Sequence, residues 1–235
     1  IFMKTIRVIT LDLDDTLWDI APVIELAEKR LWAWFEENYS LIPKFFSPDK
    51  IFTLRSKVVK EFPDKSHDFR FIRKVVLSRI AAKLNYDADF IEKAISVFDR
   101  ARNDVNLYPD VLPALQKLCK HFTIIAVTNG NANLDDIGIK HFFKCVVTAV
   151  DVGVPKPERP IFEEAIKMSG VKTHEIIHVG DNPEIDIIGA YNLGLRTAWI
   201  NRNNSKWPSI HPEPDVTIKN LGDLYKVLLP SIVRD

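Results

Sequence analysis

The chain reads as an α/β protein built on a parallel sheet with one helical block inserted near its start, and three observations carry that reading. An apolar, β-branched run (Ile6, Val8, Ile9, Leu11) drives straight into the carboxylates Asp12, Asp14 and Asp15, as an interior strand does when it emerges at a ligand-binding sheet edge. From about Asp19 to about Arg102 only helix-spaced apolar patterns occur, such as Ile24-Ala27-Leu31-Trp34-Phe35 and Ile72-Val75-Val76-Arg79-Ile80. Beyond Leu107-Tyr108-Pro109-Asp110, strand-like and helix-like segments alternate, which implies parallel strands joined by crossover helices.

Taken in order, Pro43, Pro48 and Pro63 punctuate the insert into about four helices. A helix is then expected over about Val111 to Lys120, a strand over Phe122 to Thr128, a helix near Asp135 to His141 and a strand over Val146 to Ala149. A helix over about Pro160 to Ser169 leads to strand Ile176 to Val179, a helix from about Pro183 to Leu193 and strand Thr197 to Ile200. Asn201-Arg202-Asn203-Asn204-Ser205 reads as a loop, Asp215 to Ile218 as a short strand, and Leu221 to Leu229 as a closing helix. The first strand must share a sheet with the later ones, so residues 1–18 and 106–235 form one domain and 19–105 a second, helical one.

With 235 residues, 46% of them hydrophobic, the chain can bury a substantial core. Thirty-two basic residues balance 32 acidic ones, so no global field favours nucleic acid or an anionic membrane, and neither is expected as a partner. Cys119 and Cys145 fall in a helix and a strand without metal-like spacing and read as small buried hydrophobes. The start of the chain has one early lysine and a short apolar run interrupted by Arg7 and Thr10, which is neither a signal peptide nor a membrane span. A cytoplasmic protein, monomeric or weakly dimeric, is expected.

Chemistry concentrates where strands end. Carboxylates as close as Asp12, Asp14 and Asp15 repel one another and either raise a pKa or require a cation, and an all-oxygen site with few protein ligands suits Mg²⁺. Thr128-Asn129-Gly130 places a hydroxyl, an amide and a flexible backbone at the end of a second strand, where donors can hold a phosphate oxygen. Lys156 sits between Pro155 and Pro157, which stiffen its loop; its ammonium is a compact charge for phosphate. A third strand runs into Gly180-Asp181-Asn182-Pro183-Glu184-Ile185-Asp186, so Asp181 would face Asp12 across the sheet edge while Asp186 orients the ion or its water. Singly, each segment has a plainer explanation: a solvated turn, a capped helix N-terminus, a surface lysine.

Together, Asp-x-Asp-Asp-Thr-Leu at Asp12, the Thr128 segment, Lys156-Pro157 and Gly-Asp-x-x-x-x-Asp at Asp181 resemble, in order, the four motifs of the haloacid dehalogenase (HAD) superfamily, which is dominated by phosphatases. The resemblance covers essentially the whole chain, the helical insert resembling the superfamily's first type of cap domain. It implies a Rossmann-like doubly wound parallel sheet. It further implies that Asp12 is the nucleophile of an aspartyl-phosphate mechanism and Asp14 the general acid and base. Mg²⁺ is then held by Asp12, Asp14 and Asp181 with Asp186 behind it, and Thr128, Asn129 and Lys156 meet the phosphoryl group. The superfamily's dehalogenases lack the second aspartate kept here at position 14, and its ion pumps need membrane helices. A sugar-phosphate mutase or phosphotransferase shares all four motifs and stays open, as does a non-catalytic phosphate-binding module that binds Mg²⁺ without turnover.

Within the insert, His67-Asp68-Phe69-Arg70-Phe71-Ile72-Arg73-Lys74 gathers histidine, arginines and aromatics; His67 and Arg73 are expected to meet a polar or planar leaving group, although a basic helix face has the same pattern. This segment, with Thr128 to Ala132 and Asp19 to Ile24, resembles a bacterial branch that dephosphorylates flavin mononucleotide and the phosphorylated ribitylaminouracil of riboflavin synthesis; a nucleoside monophosphate or another small ester competes. Trp32, Trp34 and Phe35 read as cap core or as a surface for a partner. The family resemblance implies a cap that opens, with hinges near Trp18 to Ala21 and Asn106 to Tyr108.

Overall fold

The structure, a computed structural model, describes residues 5–232; the early lysine at position 4 lies outside the described residues. After β1 (Val8–Leu11) come five helices, α1 (Ile20–Asn38), α2 (Leu41–Phe45), α3 (Pro48–Glu61), α4 (Phe69–Leu84) and α5 (Asp89–Arg102). The alternating part follows as α6 (Val111–Leu118), β2 (Thr123–Thr128), α7 (Leu134–Ile137), β3 (Cys145–Thr148), α8 (Ala149–Val152) and α9 (Arg159–Ser169). It continues through β4 (Ile176–Gly180), α10 (Gly189–Tyr191), β5 (Arg196–Ile200) and β6 (Val216–Ile218) to α11 (Leu221–Ile232).

All six strands lie parallel in one doubly wound sheet of order β3-β2-β1-β4-β5-β6. Strand β1 is central, with Leu11 opposite Ala126 of β2 on one side and Val179 of β4 on the other. That register brings the carboxyl ends of three strands level, so Asp12, Thr128 and Asp181 arrive at one edge. Every residue of β1 is buried, because a strand covered on both faces is apolar throughout rather than alternating.

The chain forms two compact units. One runs to Asp19, resumes over Asn106–Gly130 and continues from Gly138; it holds the sheet. Its core joins Val8, Ile125, Val127, Phe162 and Ile176. The other comprises Ile20–Val105 with Asn131–Ile137. Its core joins Leu31, Phe35, Ile80, Phe90 and Phe98, with Trp32 and Trp34 packed partly buried against it. The aromatic cluster of the sequence is therefore largely cap core: Trp34 stacks on Phe90 at 6.2 Å.

Several local expectations are corrected. The insert has five α-helices rather than four, because its prolines start elements: Pro48 opens α3 behind the Ser47 cap, Pro63 opens a 3₁₀ turn, and Pro43 sits in the first turn of α2, where a missing N–H costs nothing. The helix expected near 135–141 stops at Ile137, since Gly138 (φ +84°) takes the left-handed conformation; a 3₁₀ turn, Lys140–Phe142, follows. The helix expected from Pro183 starts as a wide π turn over Pro183–Ile188. Cys119 is exposed at the end of α6 and Cys145 half-buried at the start of the edge strand β3, so neither is the buried hydrophobe expected: element ends and sheet edges leave side chains uncovered. Among the described residues no helix is long and apolar enough to cross a membrane.

Candidate active site

The turn leaving β1 is shaped by one left-handed residue. Asp15 adopts φ +62°, a conformation short polar residues tolerate best after glycine, and its N–H bonds the Trp18 carbonyl at 2.8 Å. The turn folds Thr16 back so that its Oγ1 donates toward Asp12 Oδ2 (3.2 Å) and Asp181 Oδ1 (3.3 Å). Trp18 Nε1 donates to Asp14 Oδ1 at 2.9 Å, while Trp18 bridges to Leu107 and Tyr108 N–H bonds Leu17 O at 2.9 Å.

Lys156 is the hub of the site. Its Nζ lies 2.5 Å from Asp12 Oδ1 and 2.6 Å from Asp186 Oδ1, and only 2% of its side chain is exposed. The Asn129 amide clamps the backbone of that lysine, accepting from Lys156 N–H at 2.7 Å and donating to Lys156 O at 3.0 Å. Asn129, expected to meet substrate, thus ties the second motif to the third. Thr128 Oγ1 accepts the Gly130 N–H at 2.9 Å.

The π turn explains how Asp186 gets there. Asp186 and Ile187 N–H both reach Asn182 O, at 3.0 and 3.3 Å, and this widened first turn swings the Asp186 carboxylate back to accept Asn182 N–H at 3.0 Å. It then lies over Gly180, where a Cβ would stand 2.3 Å from Asp186 Cγ. Only glycine leaves that space. Wide turns of this kind concentrate at functional sites.

One ammonium serves two buried carboxylates, and their ionisation divides accordingly. Burial pushes Asp186 up, but the Lys156 ammonium and the His178 ring together outweigh this and hold it well below the usual range. Asp12 is driven well up by burial; Lys156 pulls against this while Asp186 and Asp181 add repulsion. Asp181 is raised to about 7 by burial, then by the charges of Asp186 and Asp15. Lys156, despite burial, is held above the ordinary lysine value by its two carboxylates. Oxygens of Asp12, Asp181 and Asp186 lie within 4.8 Å of one another. Mutually repelling oxygen donors of this kind, two of them buried and that of Asp181 half-buried, fit a small hard cation. Asp14, expected among the ligands through its main chain, contributes no side-chain oxygen to that trio.

His67 and Arg73 belong to the helical unit. His67 is half-buried in the turn before α4, and the Arg73 guanidinium lies 3.4 Å from the Phe98 ring centre and donates to Glu28 at 3.0 Å.

Four contributors escaped the sequence reading. Thr16 lay inside the first motif without a role. The buried His178 meets Thr10 Oγ1 at 2.9 Å, with Nε2 3.6 Å from Asp186 and its pKa lowered by burial. Trp199 Nε1 holds the Asp181 carbonyl at 2.7 Å. Arg202, read as a loop residue, forks onto Asp110 (2.9 and 3.0 Å), donates to Thr16 O (2.9 and 3.2 Å) and stacks over Tyr108 at 3.9 Å. No local signal marks it, because its partners are distant in the chain.

A parallel α/β sheet with a helical insert, carrying a lysine-bridged carboxylate cluster on the ends of its central strands, is the architecture of an aspartate-based hydrolase. The chain belongs to the haloacid dehalogenase-like hydrolase family, whose model matches residues 6–194. It is 30% identical, over 85% of both chains, to the Escherichia coli (strain K12) 5-amino-6-(5-phospho-D-ribitylamino)uracil phosphatase YigB. It is 32% identical, over 89% of both, to a glyceraldehyde 3-phosphate phosphatase of Methanopyrus kandleri. A 2-haloacid dehalogenase from Pseudomonas syringae pv. Tomato shares its structure with a TM-score of 0.88 and 35% identity, covering 95% of this chain and 98% of that one.

Proposed function

We propose that the chain is a Mg²⁺-dependent phosphoric monoester hydrolase acting on a small phosphorylated metabolite through an aspartyl-phosphate. The observation that carries this reading is Lys156 Nζ bridging Asp12 and Asp186 where Asp181 also converges: a nucleophile, a fixed cation and oxygen donors for a second cation share one strand edge. Asp12, Asp181 and the main-chain carbonyl of Asp14 would hold Mg²⁺, with Asp186 orienting them. When bound, the ion neutralises phosphoryl charge and lets an anionic nucleophile meet an anionic ester.

The chain's own groups do the rest. An oxygen of Asp12 attacks phosphorus, the ester P–O bond opposite it breaks, and the departing alkoxide takes the proton of Asp14. The Asp14 carboxylate then accepts a proton from water, whose oxygen attacks the same phosphorus, releasing inorganic phosphate and restoring Asp12; such acid–base assistance contributes about 10²–10⁴-fold. Thr128 Oγ1 and Lys156 Nζ donate to phosphoryl oxygens, and Asn129 keeps Lys156 in position.

Similarity to the ribitylaminouracil phosphatase supports that phosphorylated intermediate as substrate, with glyceraldehyde 3-phosphate the smaller rival; flavin mononucleotide rests on the resemblance of residues 19–24, 67–74 and 128–132 alone. The second reading, carbon–halogen cleavage, is favoured by 35% identity to a dehalogenase; Asp14, a proton donor that haloacid chemistry does not need, argues against it. The test is phosphate release from these esters and from nucleoside monophosphates, with Mg²⁺ and with EDTA, beside halide release from 2-chloropropanoate. Metal-dependent phosphate release abolished by Asp12→Asn is expected, and the ranking of esters names the substrate. Halide release without phosphate release overturns the reading; phosphate moved within a sugar phosphate without release makes the chain a mutase.

A further inference from the structure

The helical unit contains a cavity of about 620 Å³ between α1 and α3, floored by α4. That volume lies within the roughly 300–1,000 Å³ range of small-molecule sites, as does its make-up of apolar walls with a few convergent polar groups. Leu31, Phe35, Leu77 and Ile80 make a buried floor, and Trp32 and the 69% exposed Phe52 stand at the rim. The lining spans Ile24 to Glu36 of α1, a groove about 18 Å long at 1.5 Å per residue. Such a shape suits a chain better than a ring.

Charge is uneven along it. Glu28 Oε1 is shared by Arg73, at 3.0 Å, and Arg55, at 3.9 Å. Asp99, which lies outside the lining, bonds Arg70 at 3.0 Å, so Arg73 and Arg55 have the one carboxylate of Glu28 between them. Of the remaining charged lining groups, Lys29 pairs with Glu25 at 2.5 Å, Glu36 accepts the Trp32 indole N–H at 2.7 Å, and Asp49 lies in the first turn of α3. Arg73 is 86% buried, held over Phe98 with one N–H on Glu28, and its other donors meet no acceptor among the described residues. A buried guanidinium in this state is complementary to one more carboxylate.

We propose that this cavity binds a medium-chain fatty carboxylate, its head group on Arg73 and Arg55 and its hydrocarbon chain along the Leu31, Leu77 and Ile80 floor toward Trp32. The site goes beyond the phosphatase reading and is measured without turnover, so neither stands or falls with the other.

Calorimetric titration of the intact chain compares decanoate with decan-1-ol, which matches its length without the charge. One saturable decanoate site is expected, with decan-1-ol bound at least about fivefold more weakly, one shared ion pair being lost. Arg55→Gln should weaken decanoate alone, and Phe52→Ala on the exposed rim should weaken both. Leu77→Trp, which fills the floor, should abolish both, with thermal melts checking that each variant folds. Equal binding of acid and alcohol, unaffected by Arg55→Gln, would reduce the cavity to an apolar surface and overturn the proposal; so would absence of saturable binding. A dimer that Phe52→Ala dissociates would assign the groove to a second copy and likewise overturn it.

Discussion

Replacing Lys156 by methionine tests the electrostatic logic of the site. The side chains of Lys156 and Asp186 are 2% exposed and that of Asp12 is 9% exposed, so the substitution leaves two buried carboxylates without their shared cation. Removing one partner of a buried pair costs about 3–5 kcal/mol, and at about 2–4 °C per kcal/mol for a chain of this size the melting temperature should fall by about 6–20 °C. Scanning calorimetry in EDTA reads this directly. Lys156→Met/Asp186→Asn, which takes away one stranded charge and keeps an acceptor for Asn182 N–H, should recover a large part of the loss. Mg²⁺ should stabilise Lys156→Met more than the natural chain, because an added cation replaces the missing one. Turnover should fall by about 10²–10³-fold, the usual cost of losing one preorganised charge-stabilising donor. A double variant less stable than Lys156→Met would refute the argument, since Lys156 would then be contributing packing rather than neutralisation.

In EDTA, Asp181 makes stability fall with rising pH: its folded value of about 7 lies above the ordinary 3.8, so its contribution is complete below about pH 4 and is lost as pH rises through about 7. Because the lowered pKa of His178 makes stability rise with pH over the same range, melts from pH 5 to 8 compare the natural chain with Asp181→Asn. The natural chain should lose stability relative to the variant as pH rises, and a gain relative to it would contradict the assignment. Gly180→Ala drives a Cβ into the Asp186 carboxylate, and urea titration should show a loss of about 1–3 kcal/mol, with activity falling in parallel. Arg202→Lys keeps a charge for Asp110 but loses the fork onto Thr16 O and the stack on Tyr108; kcat should drop about tenfold or more through a displaced turn while KM changes little. Millimolar guanidinium should partly restore Arg202→Ala, and failure of that rescue together with a changed KM would remove Arg202 from the positioning network.

Legibility in the sequence followed the range of each interaction. Strands such as Val8–Leu11 and Thr123–Thr128 were readable because burial on both faces writes a continuous apolar run, and acids, hydroxyls or glycines after them are local marks of a strand end. Element boundaries inside the insert were less so: proline signals a start as readily as a stop, and five helices stood where four were expected. Asn129 was placed at the right edge, yet its amide binds Lys156 rather than open space, a contact that depends on where two loops meet.

By itself, the sequence determined the α/β class, the helical insertion and the positions of Asp12, Thr128, Lys156 and Asp181, since each is encoded within a few neighbouring residues. Tertiary structure alone decided that β1 lies between β2 and β4, that a π turn swings Asp186 onto Lys156, that Thr16 touches Asp12 and Asp181, and that Arg202 closes on Thr16. The physical reason is separation along the chain. Lys156 meets Asp12 across 144 residues and Arg202 meets Thr16 across 186, and contacts of that span are created by strand register and loop packing, which no local pattern of residue types records.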